Sequence, residues 1–432
     1  MGNEIITIKT LTPLWTGGVD QSCDRLHETG LIGSLRWWYE ALVRGLGGEA
    51  CDPTEHGCIL DEYKYRNSTA KGRRRFLDAG ICDACQLFGC TGWARRFRLI
   101  ISDGQSFFGG RNVLIPSERK HGSKKDPQAG GWFVFSESRI GEIRLTPILL
   151  QKDVDLSPIG TVLALISRHG SIGAKCSSGY GVIDVKNLSP NLQWLKNLPV
   201  QETKRGNNSP DFRDFFFARF QFEAPGDDGG TPWWESIDGI KQAYAGKLDD
   251  GTCPRLLRPS MLELKKMVAQ GIIPLAPAIR KWLRPALERE LFPAEKHFIF
   301  GGARAVCPHC FKPRFRDDRR NSDKNYCLEC RSTFSKECEI SATASKIMVS
   351  YAYSPEPNKW EFRIWGWLPR EGILTKRDNF LDTLKKELNN KDFWVTIFGR
   401  SDPVPEMVEW HALDCSQTDG RAYLKKLLGG VL

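Results

Sequence analysis

The sequence predicts an α+β protein built from two similar domains in tandem, and three observations carry that prediction. Short alternating apolar runs recur between helical stretches in both halves, among them EIITIKTLTPLW at the start and DFRDFFFARFQFEAP near the middle. Two segments echo one another: QLFGCTGWARRFRLIIS and HFIFGGARA…SATASKIMVS each run from aromatics through Gly and a basic residue into a strand pattern. Two close cysteine pairs, Cys307-Pro-His-Cys310 and Cys327-Leu-Glu-Cys330, interrupt the second echo at the spacing of an inserted hairpin.

In chain order, the first strand runs into the turn Gly17-Gly18, and GLIGSLRWWYEALVRGLGG then reads as a helix stopped by Gly45, Gly47 and Gly48. At about 100° per residue, Leu31, Leu35, Trp38, Leu42 and Leu46 share one stripe of that helix. Arg36, Trp37, Glu40 and Arg44 fall on the other side, so Trp37 is expected to point away from the core face beside Arg44. RRFRLIISD, GGWFVF and RLTPILL continue a β-rich first half, and SPIGTVLALISRHG is a helix that delivers the chain into the glycine-dense stretch GSIGAKCSSGYGVI. The polar tract LPVQETKRGNNSP reads as a linker.

The second unit opens on the aromatic strand, passes through helical material from Pro259 to Leu291, and resumes after the cysteine hairpin with ISATASKIMVSYAY and WEFRIWGWLP. The expected organisation is a first domain over 1–198 and a second over 211–432, the latter carrying the inserted hairpin over 303–338.

At 432 residues, 41% hydrophobic and 26% charged, the chain has the composition of a globular protein and excludes disordered and fibrous classes. The formal charge of +10 suggests an anionic partner, with nucleic acid the first candidate. The opening residues lack the basic, apolar and small-residue succession of a secretory signal, and no apolar run reaches the roughly 18 residues that span a bilayer. A cytoplasmic protein without a membrane partner is therefore expected. In a reducing compartment its 14 cysteines are expected to be metal ligands or buried thiols rather than disulfides.

The paired cysteines at 307–310 and 327–330 suit a tetrahedral zinc site, because each knuckle turn offers two thiolates at about 2.3 Å from one ion. A closed shell of Cys307, Cys310, Cys327 and Cys330 leaves no position for catalytic water, so the zinc is expected to be structural. Lys312, Arg314, Arg316, Arg319, Arg320 and Lys324 make that hairpin basic, which fits either a phosphate contact or a solvated surface. Cys51, Cys58, Cys82 and Cys85 have a looser spacing, open both to a second zinc site and to separate buried thiols.

From Lys64 to Arg98 nine basic residues face two acidic ones, Asp78 and Asp83. Trp15, Trp37, Trp93, Phe97, Arg73 to Arg75 and the arginines from Arg95 to Arg98 supply the aromatic and cationic surfaces that stack bases and neutralise phosphates, although Trp93 and Phe97 also suit a core. The glycine-dense stretch lets backbone amides approach an anion, with Lys175 at its middle. It lacks the Walker order and leads into a strand, which leaves a polynucleotide backbone or a mere connection between helix and strand. Catalytic signatures are sparse: His27, His56 and His169 sit in no triad-like pattern, and His169 beside the loop is the one candidate base.

The helix start GLIGSLRWW, the LFG followed by a basic strand, GSIGAKCSSGYG and the later HFIFG…ASKI together resemble the RAMP superfamily of CRISPR proteins. In their order they look most like the first subunit of the type III-B (Cmr) effector complex. The resemblance spans nearly the whole chain. It implies two tandem ferredoxin-like, RRM-related domains and binding of guide or target RNA toward the guide 3′ end. It also implies partnership with the other subunits of that complex in antiviral defence, and no nuclease activity of the subunit's own. Carried onto this sequence, the implied RNA-binding set is Ser34, Arg36, Trp37, Arg44, Arg95, Arg96, Arg98, Gly173, Lys175, Gly179, Gly181 and Lys346. The alternatives are a metal-independent RAMP endoribonuclease that matures guide RNA with His27 or His169 as base, and a purely structural scaffold.

Overall fold

The computed structural model describes residues 5–429 apart from 21, 54–55, 103, 108–110, 124–125, 153, 187, 189, 200–208, 247–257, 290, 303–304, 311–314, 319–320, 337–339, 341–342 and 371–373. Most of the polar tract that reads as a linker, and Lys312, Arg314, Arg319 and Arg320 of the basic hairpin, lie outside the described residues.

The first half forms a four-stranded antiparallel sheet in the spatial order Phe97–Ser102, Glu142–Leu149, Ile6–Thr10, Ile183–Lys186. In register, Ile8 stands opposite Ile143 on one side and Val185 on the other. Strand alternation sends Ile6, Ile8, Phe97, Leu99, Ile143 and Leu145 to one face. That face is covered by the helices Glu28–Gly45 and Ser157–His169. The chain order is strand, helix, strand, strand, helix, strand. The predicted stripe holds, with Leu31, Leu35, Trp38, Leu42 and Leu46 all buried. The opposite side departs from expectation in part, because Glu40 is also buried and Arg36 and Arg44 are largely covered by the segments that follow the helix.

The second half builds a larger antiparallel sheet in the order Ile272–Ile273, Ala352–Glu356, Lys359–Trp367, Phe215–Glu223, Glu406–Ala412, with Ile347–Val349 also on Lys359–Trp367. Phe215–Glu223 is apolar on both faces because both are covered, which is why its sequence reads as a near-continuous aromatic run. The helices Ala276–Glu288, Arg377–Leu388 and Lys391–Phe398 pack with this sheet in one apolar cluster. The helical stretch read from Pro259 to Leu291 is two helices, Met261–Ala269 and Ala276–Glu288, separated by the short edge strand Ile272–Ile273.

The sequence echo has a geometric counterpart. Helices ending at Phe88 and Phe300 are each followed by a glycine at positive φ, Gly89 at 85° and Gly301 at 68°. A Cβ on Gly89 would lie 2.7 Å from the Arg95 amide nitrogen, and one on Gly301 2.6 Å from that of Ser345. Arg95 and Ser345 each stand two residues before their strands, Phe97–Ser102 and Ile347–Val349. The cysteine hairpin, strands Phe315–Asp318, Asn321–Cys327 and Thr333–Ser335, emerges inside the second of these turns.

The two halves share apolar contacts. One cluster joins Leu35, Trp38 and Leu42 to Phe212, Phe215, Trp367 and Leu424. The last helix, Gly420–Leu427, packs back on Ser157–His169 of the first half. The hairpin Asn112–Ser123 and Asp126–Val134 pairs with Tyr244–Gly246 of the second half.

Candidate nucleic-acid interface and metal centres

The glycine-dense stretch leaves the helix Ser157–His169 and enters the strand Ile183–Lys186. Its glycines are required by the approach of the protein's own atoms. Gly173, Gly179 and Gly181 have φ of 88°, 106° and 84°. A Cβ on Gly173 would lie 2.8 Å from the Trp15 carbonyl oxygen, one on Gly179 would collide with the Tyr351 ring, and one on Gly181 with the Ile172 carbonyl. Ser34 clamps the loop from the first helix, accepting from the Gly173 amide at 2.9 Å and donating to its carbonyl at 3.2 Å. From the other half, the Tyr351 amide donates to Gly179 O at 3.1 Å and Arg363 donates to Gly170 O at 3.4 Å. The loop thus joins both halves of the chain.

Lys175 adopts a left-handed conformation, φ 61°, that turns its side chain onto aromatic rings. Its ammonium lies 4.2 Å from the ring centroids of both Trp15 and Phe135. Burial holds its pKa below the usual lysine range, with no carboxylate contributing. Lys346 is similar: its ammonium stands 4.9 Å from the Phe298 ring, and burial alone pushes its pKa down. The Trp367 amide donates to the Lys346 carbonyl at 3.1 Å, and the strand after Lys346 packs on the turn Cys176–Ser178 that follows Lys175. Trp37, 38% exposed, meets Trp367 edge-on at 4.9 Å. Ser34, Trp37, Gly173, Lys175, Gly179, Gly181 and Lys346 therefore surround one junction, where the first helix, the glycine loop and the second sheet meet.

The arginines are placed differently. All three nitrogens of the Arg36 guanidinium are engaged, by Glu40 at 2.7 Å, the Gly89 carbonyl at 3.0 Å and Cys85 Sγ at 3.3 Å. Arg44 donates to the carbonyls of Ala50, Cys51 and Pro210 at 3.2, 2.7 and 2.9 Å. Both guanidiniums brace the fold. Arg95 and Arg98 share Glu28, at 2.9 and 3.5 Å, a partner some seventy positions away to which no local sequence pattern points. Arg98 remains 61% exposed. Arg96 donates to Gln151 at 2.8 Å and stacks near Trp93 and Phe76. Arg73 pairs with Asp83 at 2.6 Å, and Arg75 covers the Tyr65 ring. Phe97 is core and Trp93 half-buried among Tyr65 and Phe76.

Both cysteine tetrads converge, with the four sulfurs of each within 4.8 Å of one another. In the hairpin, Cys307 to Cys330 is 3.8 Å and Cys310 to Cys327 3.5 Å, near the roughly 3.8 Å that a tetrahedral site with 2.3 Å metal–sulfur bonds requires and far from a disulfide. The donor set fits zinc. His309 lies beside Phe334 rather than among the sulfurs.

The candidate bases are structurally occupied. His169 is 3% exposed, its Nε2 lies 2.7 Å from the Leu427 carbonyl, and its ring packs on Phe217. His27 Nε2 lies 2.8 Å from Asp24. Among the described residues no helix is long and apolar enough to cross a membrane.

The family model described as the RAMP superfamily matches residues 7–184. No curated protein matches the chain. Among solved structures, the chain is similar to apo Cmr1 from Pyrococcus furiosus, at 10% identity and a TM-score of 0.33 over 88% of this chain and 95% of that one. It is similar at 12% identity and TM-score 0.36, over 88% of this chain and 98% of the other, to a chain of the type III-B Cmr-beta complex bound to cognate target RNA and AMPPnP in the presence of ssDNA. The same complex with cognate target RNA alone gives 11% identity and a TM-score of 0.34, over 89% and 99%. The glycine loop, Ser34 and Lys175 all fall within residues 7–184, the span that matches the RAMP superfamily model.

Proposed function

We propose that the chain is a non-catalytic RNA-binding subunit of a type III-B CRISPR ribonucleoprotein complex, contacting guide or target RNA toward the guide 3′ end. The β-α-β-β-α-β order of the first half, repeated in strand arrangement by the second, supports reading the two halves, 1–198 and 211–432, as tandem ferredoxin-like domains. The cysteine hairpin within 303–338 is then a zinc ribbon inserted in the second domain, with structural zinc on Cys307, Cys310, Cys327 and Cys330.

One observation carries the RNA assignment. Lys175 and Lys346 are partly desolvated ammoniums with no carboxylate contributing to either, each held over aromatic rings, Trp15 and Phe135 for the first and Phe298 for the second, near the junction of the halves. Desolvated cations beside an aromatic face suit a phosphate and its base. Ser34, Gly173, Gly179 and Gly181 shape that surface, Arg95, Arg96 and Arg98 extend it electrostatically, and Arg36 and Arg44 support it from beneath.

The test is binding of labelled single-stranded guide RNA to the purified chain across a salt series. Affinity is expected to fall with salt by about 0.7 log units per log unit for each phosphate neutralised. Lys175→Ala with Lys346→Ala should flatten that slope by about 1.4 and leave the RNA intact. Cleavage of the RNA would support the endoribonuclease reading, and a salt slope unchanged in the double variant would remove this surface from the interface.

A further inference from the structure

The second cysteine cluster lies in the first half, remote in sequence from the ribbon, and its geometry favours one of the two readings that spacing alone leaves open. Cys51 and Cys58 come from the chain after the first helix, whereas Cys82 and Cys85 open the short helix Asp83–Phe88. Cys51 Sγ stands 3.5 Å from Cys85 Sγ, too far for a disulfide and close to the sulfur separation around a tetrahedral ion. Three backbone amides point at these sulfurs: Cys51 N to Cys82 Sγ at 3.4 Å, Cys82 N to Cys58 Sγ at 3.5 Å, and Cys85 N to Cys82 Sγ at 3.5 Å. Arg36 Nη2 adds a charged donor at 3.3 Å from Cys85 Sγ. A neutral thiol is a weak acceptor, so donors gathered on sulfur in this way suit thiolates. Four thiolates within 4.8 Å cannot coexist without a cation among them.

We propose that Cys51, Cys58, Cys82 and Cys85 bind one structural zinc ion, and that Arg36 compensates the residual negative charge of the tetrathiolate site. With four sulfurs the shell is closed, so the ion is a staple rather than a reaction centre. What it staples is specific. The ligands tie the end of the first helix to the segment from Lys64 to Arg98, in which Arg73 pairs with Asp83 next to the Cys82 ligand. Besides bracing the fold, the Arg36 guanidinium acts as an outer partner of the metal that fixes the orientation of the Cys85 ligand. The inference stands apart from the RNA reading and survives if that reading fails.

The experiment is elemental analysis of the full chain purified without chelator, together with the Cys307→Ser/Cys327→Ser variant. Wild type is expected to carry two zinc ions per chain and the ribbon variant one. Cobalt reconstitution of the ribbon variant should give the visible absorption of tetrahedral thiolate coordination. Arg36→Gln should speed loss to a chelator of one of the two ions and leave the other unchanged. Because the ribbon variant could misfold, total zinc released from the wild type by an organomercurial is counted as well. A single equivalent released from the wild type, or a folded ribbon variant with neither zinc nor a cobalt spectrum, overturns the proposal.

Discussion

Gly179→Ala probes the junction most directly. The added Cβ would sit 2.6 Å from one Tyr351 ring carbon and 2.9 Å from the Tyr351 amide nitrogen, which itself donates to the Gly179 carbonyl. The backbone cannot retreat, because Gly181 is pressed on the Ile172 carbonyl and Gly173 on Trp15. Nor can the Tyr351 ring, which is buried against Tyr180 with centroids 5.2 Å apart. Two costs add: overpacking of about 1–3 kcal/mol, and about 1–3 kcal/mol for holding a non-glycine residue at φ 106°. A loss of about 2–6 kcal/mol lowers Tm by roughly 2–7 °C if the whole chain of 432 residues unfolds as one unit. Calorimetry of the variant beside Lys175→Ala separates architecture from contact. Lys175→Ala forfeits only cation–π contacts, about 0.5–1 kcal/mol each before the relief of desolvation, so its Tm should move little while RNA affinity falls. A Gly179→Ala protein that unfolds with the wild type would refute the reasoning that close approach, rather than RNA, demands the glycine.

Three further outcomes are expected. Burial holds His169 down at about 4 and, against its own burial, His411, His169 and Arg219 hold Glu409 at about 2; the unfolded chain takes up these protons first, so stability falls as pH is lowered from about 6.5 toward 4, by up to about 3 kcal/mol for His169. Denaturant midpoints at pH 7.5 and 4.5 should show the drop, His169→Gln should remove most of it, and a flat profile in the wild type contradicts the burial. Loss of the ribbon zinc in the Cys307→Ser/Cys327→Ser variant should unfold the hairpin alone, because its small apolar cluster consists of Cys307, Cys327, Phe334 and Cys310; protease cleavage within 303–338 at an unchanged main Tm is the expected readout. Arg44→Met should lower Tm by leaving the Ala50, Cys51 and Pro210 carbonyls without their donor, about 1–3 kcal/mol, while RNA affinity stays within twofold.

Local patterns were legible without coordinates. The apolar stripe of the first helix, the aromatic strand of the second half and the paired cysteines follow from periods and spacings that a few residues specify on their own. The echo around Gly89 and Gly301 was legible too, because a glycine at positive φ ahead of a strand leaves the same short imprint twice. Even the looser tetrad was visible as a cluster, although spacing could not tell ligands from buried thiols.

What tertiary structure decided is which charges are free and which are consumed. Arg36 and Arg44 share a helix face with Trp37, yet segments folding over that face occupy both guanidiniums and leave the indole partly exposed. Glu28 pairs with both Arg95 and Arg98, one carboxylate against two guanidiniums, across a separation that no local pattern encodes. Lys175 and Lys346 lie far apart in the chain, and the packing of the second sheet on the glycine loop brings their segments together. Periodicity reports what one element does with its own neighbours, whereas ion pairing and desolvation depend on distances set only when distant elements pack. The sequence determined the elements, their order and the cysteine pairs, and tertiary packing decided which cations remain available to an anion, because that choice is made by partners the chain supplies from elsewhere.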